Sequence, residues 1–199
     1  MTSSDWVVVL VKDFGDAKQR LGPALSPEER RALAMRNAER AIHAAEAGAE
    51  RLVVAGSEEV AELALGLGAH VLVEPRQEGQ NPAAQRGLQH ARAHGADAVL
   101  LLSSDLPLVD RDAVQGLLDF AGTTSGPVAI AAPAIGRGGT NALYLRPPGV
   151  IGLHFGGDSL ALFRRDAEAR GVPFLLHESA AFALDLDEPM DLARLRHAV

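Results

Sequence analysis

WVVVLVKDFGDAKQRLGPALSPEE, residues 6–29, decides the architecture of this chain. Its first six residues are apolar and rich in valine, the composition of a strand buried on both faces. Residues 26–29 read Ser-Pro-Glu-Glu, which places Ser26 as an N-cap, Pro27 at the first helical position and Glu29 at the far corner of a capping box. Between strand and helix lie three cations, Lys12, Lys18 and Arg20, within nine residues. A buried strand, a charged loop and a capped helix together open an α/β unit.

Working outward, the same alternation continues. Short apolar runs at 51–55, 71–73, 98–103, 128–132, 142–146, 172–176 and 183–187 predict strands. Helices are expected from Ser26 to about Gly48, from Ser57 to about Gly66 or Gly68, from Pro82 to about Gly95, from Asp110 to about Phe120, from Gly156 to Gly171, and from Pro189 onward. Strands separated by helices argue for a mostly parallel sheet, and the closer spacing of the later strands argues for a mixed one. No internal repeat, low-complexity tract or long linker divides the chain, so residues 1–199 are expected to form a single domain.

Composition narrows the function. The 199 residues carry 19 basic and 26 acidic side chains, a net charge of −7, which disfavours non-specific nucleic-acid binding. Cysteine is absent, which excludes disulfides, thiolate metal sites and a cysteine nucleophile. The seven histidines are scattered, form no HExxH motif and are assigned no role. Apolar runs such as 6–11 and 98–102 fall far short of the roughly 20 residues of a bilayer span. The start of the chain has Asp5 and no basic segment, so it does not read as a signal peptide, and the cytoplasm is the expected location.

Familiar phosphate and hydrolase motifs are missing. There is no GxxxxGK[ST], no GxGxxG after the first strand and no GxSxG. Lys12, Lys18 and Arg20 stand instead where an open α/β sheet binds ligands, and both residue types suit phosphate oxygens; a merely solvated loop is the other reading. Asp105 ends the strand AVLLLSSD and can face the same crevice, or serve as a turn residue ahead of Leu106-Pro107. Asp185 and Asp187, in ALDLD, are two apart, so on a strand both carboxylates point to one face. Such a pair suits a divalent cation with oxygen ligands, unless Asp187 simply caps the following helix. The loops GRGGTN (136–141) and GGDS (156–159) let backbone N–H groups approach an anion, and the second leads into a helix that Ser159 can also cap.

Taken together, VKDFGDAKQRLGPALSPEER, SSDLPLV, GRGGTNAL, FGGDSLALFRRDAEARGVP and ALDLDEPMDL resemble, in order and spacing, the guanylyltransferases that make the activated three-carbon acid of coenzyme F-420. The similarity spans essentially the whole chain. It implies a three-layer α/β sandwich of the nucleotide-diphospho-sugar-transferase (GT-A-like, Rossmann-type) fold with a mixed, mostly parallel sheet. It also implies transfer of GMP from GTP to the phosphate of phosphoenolpyruvate, 2-phospho-L-lactate or a similar acid, with loss of pyrophosphate. Matched residue by residue, Asp105, Asp185 and Asp187 would hold magnesium, as two ions. Lys12, Lys18, Arg20, Gly79, Asn81 and Pro82 would meet the nucleotide, with Lys18, Arg20 and Asp105 catalytic. Thr140, Asn141, Gly156 and Ser159 would hold the acid. Where the family commonly has Gly-Leu-Asn, this chain has Gly79-Gln80-Asn81, a departure near the expected position of the base. The implied partners are small molecules, with no nucleic acid or membrane, and the chain a monomer or homodimer. Another nucleotidyltransferase or a nucleotide-sugar glycosyltransferase of the same fold is the alternative, and a non-catalytic nucleotide-binding module the more remote one.

Overall fold

The computed structural model describes residues 4–15, 17–136 and 138–198, so that Asp16 of the cationic loop and Arg137 of the GRGGTN loop lie outside the described residues. The opening stretch folds as its pattern requires. Strand β1 (Asp5–Val11) sends Val7, Val9 and Val11 into one apolar cluster and Trp6, Val8 and Leu10 into another. This period-two division is what a central strand buried on both faces shows. Helix α1 (Pro27–Ala44) begins on the expected capping box, with the Ser26 hydroxyl accepting from Glu29 N and the Glu29 carboxylate accepting from Ser26 N.

Next come β2 (Glu50–Ala55), α2 (Glu58–Gly66), β3 (His70–Val73), α3 (Gln80–Ala93), β4 (Ala98–Ser103) and α4 (Arg111–Gly122). The chain continues through β5 (Val128–Pro133), β6 (Thr140–Arg146), α5 (Ser159–Ala169), β7 (Phe174–Leu176), α6 (Ala180–Ala183) and α7 (Pro189–Ala198). One seven-stranded sheet runs β3-β2-β1-β4-β6-β5-β7. Pairs β1–β2, β2–β3, β1–β4 and β5–β7 are parallel, and β6 runs antiparallel to both its neighbours. The sheet is therefore mixed and mostly parallel, as expected.

Helices α1, α2 and α4 contribute to the cluster on one face, α3 and α5 to the cluster on the other. Helix α3 sits close to the sheet because Gly87 has no side chain: a Cβ there would lie 2.5 Å from Val8 Cγ1 and 2.9 Å from Val54 Cγ2.

Two expected boundaries are corrected. Helix α3 starts at Gln80, so Pro82 is its third residue, where the missing N–H is still one of the unpaired donors of a helix start. Residues 183–187 are not a sheet strand. Residues 180–183 are a helical turn capped by Ser179, and 184–187 run extended without a place in the sheet. Alternation survives all the same, with Leu184 and Leu186 buried and Asp185 and Asp187 half-buried, because the segment lies against the core with one side only.

Candidate active site

The strand order reverses direction at β1. Strands β2 and β3 extend the sheet to one side, and the chain then returns to place β4 on the other. Loops leaving two such strands diverge and open a crevice at their carboxyl ends. A cavity of about 390 Å³ occupies that crevice, lined by Leu10–Lys12 at the end of β1, Ser103–Asp105 at the end of β4, Lys18, Arg20, Glu74, Gln77, Gly79, Gln80 and Asp187. Its volume falls in the range of small-molecule sites.

Lys18 organises one wall. Its side chain is 1% exposed, and its Nζ lies 2.5 Å from Asp105 Oδ1 and donates to Leu186 O at 2.7 Å. Leu186 N in turn donates to Asp105 O at 3.1 Å. One ammonium thus joins the loop after β1, the loop after β4 and the segment before α7. Lys18 adopts φ 60°, ψ 30°, a left-handed conformation rare for a residue with a side chain, held here by those contacts. Arg20 Nη1 stands 3.7 Å from Asp187 Oδ2, with the Arg20 side chain mostly in solvent.

At the other wall, the Glu74 side chain is 6% exposed and its Oε1 accepts from Arg86 Nη1 at 2.9 Å. Burial pushes the Glu74 carboxyl above the usual carboxylate range, with the Arg86 guanidinium opposing the rise. Gln77 crosses beneath, its Nε2 donating to Gly56 O at 3.0 Å.

The expected acceptor residues gather elsewhere. Ser159, 1% exposed, donates its hydroxyl to Thr140 Oγ1 at 3.2 Å, and Ser159 N donates to Gly156 O. Asn141, also buried at 7% exposed, donates through Nδ2 to Phe182 O at 2.8 Å. Leu160 N reaches Gly138 O, so the two glycine-bearing loops meet at the start of α5, where Asp158 holds a second left-handed backbone, φ 56°. These residues form a buried polar cluster that does not line this cavity. The 180–187 segment links the two regions: Phe182 O is held by Asn141, Ala183 O by Ile135 N, and Leu186 by Lys18 and Asp105.

Of the residues singled out in the sequence, Lys12, Lys18, Arg20, Gly79, Asp105 and Asp187 line the cavity. Asn81, Pro82 and Asp185 do not. The Asn81 amide clasps the backbone of Phe155, donating to Phe155 O at 2.9 Å and accepting from Phe155 N at 2.7 Å, so it ties the start of α3 to the loop ahead of FGGDS. The start of α7 is served by Asp191, 1% exposed, whose Oδ2 accepts from both Asp187 N and Glu188 N. Neither Glu74 nor Asp191 carried a sequence signal, since an isolated acid looks the same in a cavity wall as on a solvated face.

Among the described residues, no group of three or more His, Cys, Asp or Glu is arranged to hold a metal ion. Asp105 and Asp187 do share the cavity, and magnesium is commonly held by one or two carboxylates with substrate phosphates and water completing its shell. The oxygen-only donors present therefore fit that ion as a pair rather than as a trio.

Residues 6–197 match the family model described as "Guanylyl transferase CofC like". The chain belongs to that family. Its guanylyltransferase relatives include the phosphoenolpyruvate guanylyltransferase of Rubrobacter xylanophilus, 43% identical over 96% of this chain and 93% of that protein. The 2-phospho-L-lactate guanylyltransferase of Methanothermobacter thermautotrophicus is 33% identical over 94% of this chain and 82% of its own. Among solved structures, a putative nucleotide-diphospho-sugar transferase from Desulfovibrio desulfuricans superposes with a TM-score of 0.79 at 21% identity, covering 99% of this chain and 88% of that one. That likeness bears out the nucleotidyltransferase-type fold expected from the family motifs. The guanylyl transferase family is a nucleotidyltransferase class, so this chain is an enzyme of that class.

Proposed function

We propose that this chain, as one nucleotidyltransferase domain, transfers GMP from GTP to the phosphate of a phosphorylated three-carbon acid. The acid is phosphoenolpyruvate or 2-phospho-L-lactate, pyrophosphate is released, and the product feeds coenzyme F-420 synthesis. The observation that carries this reading is the meeting, in one cavity at the sheet's switch point, of Lys12, Lys18 and Arg20 with Asp105 and Asp187. Family membership supplies the reaction class.

The reaction joins an acceptor phosphate oxygen to the α-phosphorus of GTP and breaks the bond from that phosphorus to the bridging oxygen of pyrophosphate. A phosphate monoester has its second pKa near 6, so at neutral pH it is largely dianionic and needs no general base. The obstacle is one anion attacking another. Lys12 and Arg20 offset the charge of the triphosphate and of the departing pyrophosphate. Lys18, its ammonium already committed to Asp105 and Leu186, holds the two acidic loops in register. Thr140 and Ser159, with the N–H groups of the Gly156 loop at the start of α5, orient the acid's carboxylate and phosphate. Asp105 and Asp187 would hold magnesium, while Asp185, two residues before Asp187, does not line the cavity. When bound, the ion supplies positive charge to the phosphates and aligns entering and leaving oxygens.

The reading places the enzyme in the cytoplasm, as a monomer or homodimer acting on small anions without a nucleic-acid partner. No helix among the described residues is long and apolar enough to cross a membrane.

The test is pyrophosphate release by purified protein with magnesium, crossing GTP, CTP, ATP and UTP with phosphoenolpyruvate, 2-phospho-L-lactate and 3-phosphoglycerate. Release that requires GTP and one of the acids supports the reading and names the acceptor. Release with another nucleotide removes the guanylyl assignment and keeps the transfer. No release with any pair, from folded protein that binds nucleotide, overturns it.

A further inference from the structure

Glu74 is a buried acid in the wall of an anion site, and the phosphate chemistry has no use for it. A carboxylate beside a triphosphate would repel it, so Glu74 belongs to a part of the cavity that holds something else. The strand order says which part. Glu74 follows β3, its N–H bonded to Ala55 O at the end of β2, whereas Asp105 follows β4. Three strand spacings separate β3 from β4, roughly 14 Å. That span is comparable with an extended nucleoside triphosphate, so phosphates held between β1 and β4 place the base beside β3 and the start of α3.

Arg86 of α3 pins Glu74 Oε1 at 2.9 Å and is itself shared with Glu78. Among the described residues Oε2 has no hydrogen-bond partner, and the side chain is 6% exposed while lining the cavity. An ionised carboxylate only accepts hydrogen bonds. Guanine offers two adjacent donors, N1–H and the exocyclic 2-amino group. Adenine and cytosine present an acceptor ring nitrogen on that edge, and uracil a single donor flanked by carbonyls.

We propose that Glu74 reads the base: its carboxylate, held by Arg86, accepts hydrogen bonds from N1–H and the 2-amino group of guanine. The proposal rests on the guanylyl-transfer reading and names the residue that makes it specific for guanine, independently of the Gln80 departure.

The experiment compares wild type and the near-isosteric Glu74→Gln with GTP, inosine triphosphate (no 2-amino group) and xanthosine triphosphate (a carbonyl in its place). Each is followed both by calorimetric nucleotide binding with magnesium and by pyrophosphate release with the preferred acid. Wild type should prefer GTP over inosine triphosphate by about 10- to 100-fold, the usual worth of the one hydrogen bond to a charged acceptor that the missing 2-amino group removes. In Glu74→Gln that preference should shrink to a few-fold. Xanthosine triphosphate should improve, because the new amide N–H faces its carbonyl, and the KM of the acid should stay unchanged. A lost GTP preference with unchanged melting temperature is not a folding effect.

Wild type that binds GTP and inosine triphosphate equally overturns the proposal even if the variant does not fold. A variant that keeps the wild-type ratio overturns it too, and leaves guanylyl transfer standing if GTP is still turned over preferentially. Binding that follows the expected pattern without pyrophosphate release with any acid upholds Glu74 as the base reader and removes the transfer reading.

Discussion

Replacing Lys18 by methionine keeps an unbranched side chain, one atom shorter, and removes its charge from a position that is 1% exposed. Two interactions go. The charge-assisted hydrogen bond to Leu186 O, 2.7 Å long, is of a type contributing about 1.5–3 kcal/mol. The 2.5 Å contact with Asp105 would cost about 3–5 kcal/mol to break if both partners were fully buried. Asp105 is 35% exposed, so water recovers much of that second loss. The sum is a destabilisation of about 2–4 kcal/mol, a large fraction of the roughly 5–15 kcal/mol that holds a domain together. With a urea m-value of about 2 kcal/mol/M, the midpoint should fall by roughly 1–2 M at unchanged m. The buried Trp6 provides the fluorescence signal. Turnover should fall as well, since Asp105 and the Leu186–Asp187 backbone lose their common anchor. Lys18→Arg should not rescue either quantity, because a planar guanidinium does not fit a closed slot shaped around a compact ammonium. A Lys18→Met protein within about 0.5 kcal/mol of wild type but inactive would refute the reasoning, and would assign the ammonium to the phosphates instead.

Other outcomes follow from the same geometry. Asn81→Ala strips both hydrogen bonds from the Phe155 backbone, so stability should drop by about 1–3 kcal/mol and the KM of the acid should rise more than that of the nucleotide, measured by urea titration and initial rates. Thr140→Val removes the acceptor of the Ser159 hydroxyl; acid KM should increase about tenfold with the nucleotide KM unchanged, and equal changes in both would remove Thr140 from the acceptor site. Asp187→Asn should lose turnover and its dependence on magnesium concentration while the melting curve stays near wild type; full activity would end its assignment to the ion. At the opposite end of the sheet, His90 and His94 stack at 4.2 Å beside Trp6 and near His70. Burial holds the His90 pKa below its ordinary value, with His94 and His70 adding to the effect. The unfolded chain therefore binds the proton more readily, so the contribution is complete above about pH 6.5 and is lost as pH falls from there through the folded pKa. The urea midpoint should decline between about pH 7 and pH 5, and less steeply in His90→Gln.

What the sequence determined by itself is local and periodic. The valine run of β1, the Ser26–Glu29 box and the capping aspartate at 110 were all readable, because strand alternation and helix capping depend on residues at most four apart. The cationic loop and Asp105 were readable as candidates because each directly follows a strand end. The ALDLD segment shows where that reading stops: its alternation is real, but whether it pairs into a sheet depends on neighbours the local pattern does not name. Tertiary structure alone decided the rest. Asn81 reaches across 74 residues to Phe155 and Lys18 across 168 to Leu186, contacts that exist only once the strand order places those loops side by side. Lys18 thereby passes from a solvated-looking cation to an internal tie, and Glu74 from an unremarked acid to the wall of the cavity. Backbone preferences act over a turn or a pleat, whereas the burial and charge of a side chain are set by whatever distant segment packs against it.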